Sequence, residues 1–201
     1  MNNMEALSLG LLAVVSGPSG VGKGTVCKRL CEMDADIILS VSASTREPRL
    51  HEREGEHYYF LTEQVFLEKR AAGEFLEWAE VYGQFYGTLR SQVQKHLKAG
   101  KDVILEIDTQ GAMQIRSACP DAVFVFLLPP SYAELQKRIC GRAADSIESI
   151  NLRLSKAENE ISLAQEYDHC IFNNTVEQAA SELLSVIRTE KRRRAIREET
   201  C

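Results

Sequence analysis

The sequence predicts an α/β fold, a parallel β-sheet covered by helices on both faces. Three observations carry this. Short runs that read as buried strands recur at LGLLAVV (9–15), DVILEID (102–108) and AVFVFLL (122–128). A segment of helical character follows each of them. The chain, at 201 residues with 44% apolar and 26% charged residues, is also long enough to bury such a sheet within one domain. A strand covered on both faces reads as a continuous apolar run, and strands that alternate with helices pair in parallel.

Taken in order, LGLLAVV ends in a Gly-rich turn, and TVCKRLCEM (25–33) then reads as a helix. DVILEID leads into the helical TQGAMQIRSA (109–118). AVFVFLL stops at Pro129 and Pro130, and Ser131 with Glu134 forms a capping box for SYAELQKRIC. The short run CIFN (170–173) precedes the long helical stretch VEQAASELLSVIRTEKRRRAIREE. Two segments break the alternation. Residues 41–88 carry short strand-like pieces, HYYFL, EFLEWAEVY and QFYGT, and predict a small mixed insertion. Residues 141–165 read as a polar helical pair, and both segments are candidates to move over a site.

A net charge of −5 argues against a general nucleic-acid binder. The run KRRR (191–194) reads as a solvated helix end, with an RNA or partner contact as the alternative. The six cysteines form no CxxC pair, so zinc spacing is absent and reduced thiols are expected. MNNMEALS lacks a charged leader, and no apolar stretch reaches membrane-spanning length, which together predict a cytoplasmic protein.

The stretch GPSGVGKGT (17–25) sits between the first predicted strand and the first helix. Glycines at 17, 20, 22 and 24 permit backbone shapes that turn successive N–H groups inward around a phosphate. The helix N-terminus adds partial positive charge. Lys23 reaches the β- and γ-phosphates of a nucleoside triphosphate, and the Thr25 hydroxyl lies where Mg²⁺ would sit. Gly24 stands where a hydroxyl is usual in such loops, but the donors are backbone groups.

In the insertion, SVSASTREPR presents Arg46 and Arg49 around Pro48, a pair of guanidinium forks suited to phosphate oxygens, with Ser42 adding a hydroxyl. Tyr58, Glu77, Tyr86 and Thr88 follow. A carboxylate accepts from the N1–H and N2–H₂ edge of guanine, whereas adenine presents an acceptor at N1. A positioned Glu77 therefore selects guanine.

With these residues in place the chain resembles the guanylate kinase family. The resemblance runs through GPSGVGKGT, SVSASTREPR, GEHYYF, GEFLEWAEVYGQFYGT, LEIDTQGA, GRAADSIESINLRL and IFNN, and so covers nearly the whole chain. It implies a P-loop kinase fold in one domain, with a core of 1–40, 89–140 and 166–201, a GMP-binding subdomain at 41–88 and a helical lid at 141–165. It implies phosphoryl transfer from ATP, with Mg²⁺, to GMP and dGMP. The loop Gly17, Pro18, Ser19, Gly20, Val21, Gly22, Lys23, Gly24 and Thr25, together with Asn173, would bind ATP. Ser42, Arg46, Arg49, Tyr58 and Tyr86 would hold the GMP phosphate, while Glu77, Thr88 and Asp108 would face the base.

Arg142 and Arg153 match lid arginines that close on the ATP phosphates and, with Lys23 and Arg46, would carry catalysis. This chain departs from the family pattern at Glu106, Ala143, Ala144 and Asn174, where Asp, Gly, Thr and Asp are usual. The partners implied are small nucleotides, neither nucleic acid nor membrane, for a monomer or homo-oligomer. Two other readings are a protein-binding module of similar fold and a sugar-phosphate kinase. The intact loop argues against the first, and the guanine-reading set against the second.

Overall fold

A computed structural model describes residues 9–81, 83–140 and 147–200, with backbone alone at 147–153 and 198–200. Its centre is a five-stranded sheet of β1 (Leu12–Ser16), β2 (Ile37–Leu39), β7 (Asp102–Glu106), β8 (Val123–Leu128) and β9 (His169–Phe172). The order is β2-β7-β1-β8-β9, and every pairing is parallel. The continuous apolar runs follow from this. Leu11, Ala13 and Val15 pack into one core with Val123, Val125 and Leu127, while Leu12 and Val14 pack into another with Phe124 and Phe126. On the first face lie α1 (Lys23–Met33) and α7 (Val176–Thr200); α3 (Arg90–Lys98) and α4 (Thr109–Ala118) supply side chains to the second. The predicted central parallel sheet flanked by helices is therefore present. Two elements, β2 and α3, were not foreseen: β2 has only three residues, and α3 buries only Val93.

The predicted insertion is a second sheet, ordered β4-β3-β6-β5. It comprises β3 (Ala43–Ser44), β4 (Tyr59–Phe60), β5 (Phe75–Val81) and β6 (Gln84–Leu89). An unforeseen helix, α2 (Glu63–Ala71), is capped by the Thr62 hydroxyl, which accepts from Val65 N–H. Its fully buried Phe66 stacks on Phe75 at 4.3 Å and Phe85 at 5.4 Å, giving the insertion a core of its own.

One irregularity in this sheet decides where Glu77 points. Phe75 pairs with Leu89, but Glu77 pairs with Thr88, so two residues of β5 oppose one of β6. Strict alternation would put Phe75 and Glu77 on one face. The bulge at Leu76 breaks that phase. Phe75 and Trp78 both enter the insertion's core, Leu76 enters the main core, and Glu77 turns towards α4. The exposed edge of β5 is closed by one side chain of α4. Trp78 N–H donates to Gln114 Oε1 at 3.1 Å, and Gln114 Nε2 donates back to the Trp78 carbonyl at 2.8 Å.

The helical pair expected at 141–165 is, among the described residues, a single helix, α6 (Ile147–Ser162), followed by a 3-10 turn at Leu163–Glu166. The apolar residues Leu154, Ala157 and Ile161 recur at helical spacing and favour one unbroken helix, which lays them against Leu135 and Ile139 of α5 (Tyr132–Cys140). Half of the predicted capping box forms. Ser131 accepts from Glu134 N–H, but the Glu134 carboxylate turns to Arg138 instead of returning to the cap.

The KRRR run is largely tied into the chain itself. Lys191 pairs with the buried Asp102, Arg193 with Glu190, and Arg194 with the Asp121 carbonyl. The described cysteines are all free, and no helix among the described residues is long and apolar enough to cross a membrane.

Candidate active site

The carboxyl ends of β1, β7, β8 and β9 bring together the segments the sequence singled out, the usual position for a ligand in an open parallel sheet. After β1, Gly17, Gly20 and Gly22 all take positive φ. Gly22 caps α1 at φ 96°, with no side chain on the freed N–H groups and no acid in the first turn. Donors at that helix end are thus left to an anion. A Cβ at residue 22 would stand 2.8 Å from the Asn173 amide, so a larger residue is refused by both conformation and space.

Asn173, which follows β9, donates to the Val21 carbonyl at 2.7 Å, and Arg138 donates to the same oxygen at 3.3 Å. These two contacts turn the loop's carbonyl outward. Asn173, expected near the adenine, thus touches the loop itself. Lys23 folds back on the loop, its ammonium donating to the Gly17 carbonyl at 2.6 Å and the Pro18 carbonyl at 3.4 Å. Burial lowers its pKa, against the pull of Glu160, Glu106 and Asp108.

Gly24 now has a spatial reason. A Cβ there would sit 3.3 Å from Glu106 Oε2, so the longer acid of this chain rests against the first turn of α1. Burial raises the Glu106 pKa, offset by Lys23. Thr25 is exposed on the same turn.

In the insertion, Glu77 is 6% exposed and accepts from the Thr88 hydroxyl at 2.6 Å. Burial, followed by the charge of Asp108, pushes its pKa up to about 7, against the Thr88 hydrogen bonds. Asp108 caps α4 by accepting from Gly111 N–H at 2.8 Å. A Cβ on Gly111 would lie 2.8 Å from Glu77 Oε2, so the bare backbone of α4 is what lets the carboxylate settle there. Nothing in the LEIDTQGA motif by itself ties that glycine to Glu77. The contact joins residues 34 positions apart.

Towards the other end of the insertion, Arg46 lies over the Tyr58 ring at 5.0 Å, and Tyr58 meets Tyr86 edge-on at 6.1 Å. Arg46 forks onto Glu52 at 2.7 and 2.6 Å, and Arg49 N–H donates to the same carboxylate. Those hydrogen bonds, chiefly from Arg46, pull Glu52 down to about 2. Glu52 did not emerge from the sequence, although its spacing of six from Arg46 across a Pro-containing turn was a signal. The Arg49 residue is exposed. Ser42, Tyr58 and Glu106 line a polar cavity of about 270 Å³ between insertion and core.

Arg142 lies outside the described residues. Arg153 is on α6, with its side chain outside them.

Residues 10–190 match the family model described as guanylate kinase. The chain is 46% identical over 191 residues to a guanylate kinase of Clostridium perfringens, covering 95% of this chain and 88% of that one. It is 48% identical over 182 residues to one from Clostridioides difficile, covering 90% and 89%. Among solved structures, a guanylate kinase from Anaplasma phagocytophilum superimposes with a TM-score of 0.74 at 34% identity, over 92% of this chain and 87% of that one. Family model, sequence relatives and fold agree, and the chain belongs to the guanylate kinase family.

Proposed function

We propose that this chain transfers the γ-phosphoryl group of ATP to GMP, and also to dGMP, since the base-facing side chains read the purine and not the sugar. The observation that carries the reading is the buried Glu77–Thr88 pair beside Asp108, whose carboxylate also bears on Lys23 of the loop after β1. As a carboxylate, Glu77 accepts both donors of the guanine edge. The Thr88 hydroxyl stays within reach of the base.

Ser42, Arg46, Arg49, Tyr58 and Tyr86 hold the acceptor phosphate, and Glu52 keeps the Arg46 guanidinium against the Tyr58 ring. The N–H groups of Gly17–Thr25 surround the donor phosphates, Lys23 swings from the loop carbonyls to them, and Asn173 lies towards adenine. An oxygen of the GMP phosphate attacks the γ-phosphorus in line. The bond to the bridging oxygen breaks, and ADP leaves with that electron pair. No general base is needed, because the attacking oxygen is already ionised near neutral pH. The task of the site is to hold two anions together, which Lys23, Arg46, Arg49, Arg142 and Arg153 do by charge. The insertion at 41–88 and the lid at 141–165 close over the pair and keep water out.

The donor set suits an ion carried in on nucleotide. Thr25 and the carboxylates of Glu106 and Asp108 surround the loop, yet no cluster of three or more His, Cys, Asp or Glu among the described residues is placed to hold a metal alone. Mg²⁺ bound to the ATP phosphates would supply further neutralisation, and Thr25 would offer it a hydroxyl.

A coupled assay of ADP release with GMP, dGMP, AMP and a sugar phosphate tests the reading. Release is expected with the two guanine nucleotides only. Absence of turnover with millimolar GMP overturns it.

A further inference from the structure

Ser19 lies in the middle of the phosphate loop, and its N–H donates to Oε2 of Glu160 at 3.2 Å. Glu160 belongs to α6, the helix of the lid segment, 141 residues further along the chain. Its neighbours Ala157 and Ile161 anchor that part of the helix on Leu135 and Ile139. Ile139 in turn presses on the loop, where a Cβ at Gly20 would come within 3.0 Å of it. The carboxylate is therefore held at the loop by packing and does not merely drift near it. Lys23 faces it across the loop, Asp108 stands on the α4 side, and Lys156 is on its own helix.

A loop of this shape is built to receive an anion. An oxygen of a phosphate and an oxygen of a carboxylate make the same demands on a backbone N–H. Here the anion is part of the chain. We infer that Glu160 is an internal counter-anion of the phosphate loop, which the donor nucleotide must displace, so that filling of the loop and release of the lid helix are one event. The inference rests on reading this loop as the ATP site. Phosphate and carboxylate cannot share Ser19 N–H and the charge of Lys23, because the two anions repel. Nucleotide binding thus frees the end of α6 from the loop, and emptying of the loop draws it back. The contact also lowers apparent affinity, since only molecules with the loop open can bind.

The test is equilibrium binding of ADP and ATP to the full-length protein and to its Glu160→Gln and Glu160→Ala variants, with folding checked by circular dichroism. Gln keeps an acceptor for Ser19 N–H and loses the charge; Ala loses both. Both variants should bind ADP more tightly, by about tenfold if the plugged form makes up about nine-tenths of the unliganded protein. GMP affinity should stay where it was. A merely supporting side chain would give weaker binding when removed, so unchanged or weaker ADP binding in either folded variant overturns the inference. Failure of the unmodified protein to bind millimolar ADP would instead refute the nucleotide reading of the loop.

Discussion

Glu77→Gln separates what burial does to stability from what charge does to recognition. The carboxyl is raised from 4.5 to about 7, mainly by burial. In the unfolded chain it titrates near its ordinary value. Below that value both states carry the proton and Glu77 costs nothing. As pH rises through the window from 4.5 to 7, the unfolded chain gives up a proton that the folded protein keeps, and stability falls. Above 7 the loss levels off at roughly 3 kcal/mol, from about 1.4 kcal/mol for each pH unit of displacement.

Gln is neutral throughout, and its Oε1 still accepts from the Thr88 hydroxyl. Glu77→Gln should therefore be more stable than the unmodified protein by roughly 1 kcal/mol at pH 5.5 and roughly 3 kcal/mol at pH 8.5. Urea denaturation of both proteins across that range measures it. For recognition the sign reverses. The Gln amide can present a donor to guanine N1–H, and kcat/KM for GMP should drop by about 10²–10³ while KM for ATP stays within about twofold. A stability difference that does not change with pH would refute the argument that burial holds a proton on Glu77 in the folded protein.

Three further substitutions test other parts of the site. Gly111→Ala places a methyl 2.8 Å from Glu77 Oε2 and should raise KM for GMP by about tenfold with little change in kcat, read by initial rates; an unaltered KM would show that the carboxylate has room to move. Lys23→Ala should leave the fold intact by circular dichroism and lower kcat by at least about 10²-fold, and residual turnover near the unmodified rate would remove Lys23 from the chemistry. Phe66→Ala empties the stacked centre of the insertion and should cost about 3–5 kcal/mol locally, seen as faster amide exchange in β5 and β6 with the parallel sheet unaffected.

The parallel sheet was legible because strands covered on both faces must be apolar at every position, a pattern that survives in one dimension. The Gly-rich loop after β1 was legible because the glycines that shape it, at 17, 20, 22 and 24, fall within one short stretch of sequence. Arg46, Tyr58, Glu77 and Thr88 could be singled out by residue type, and the structure pairs Glu77 with Thr88 and Arg46 with Tyr58. The segment at 141–165 was less so. Its polar composition suggested two helices, whereas among the described residues the apolar spacing of Leu154, Ala157 and Ile161 goes with one.

Local chemistry and periodicity therefore set the strand–loop–helix order, the Gly-rich loop after β1 and the kind of residues gathered beside it. How those residues meet was decided in three dimensions. A single extra residue at Leu76 reverses the facing of β5 and delivers Glu77 to α4, although alternation along the strand would have aimed it at the insertion's apolar core. Gly111 makes room for it, Gln114 closes the strand edge beside it, and Glu52 holds Arg46. Glu160 reaches Ser19 of the loop from α6. Each of these is a contact between distant segments whose energy depends on burial and on distances of about 3 Å, and neither quantity exists until the chain has packed.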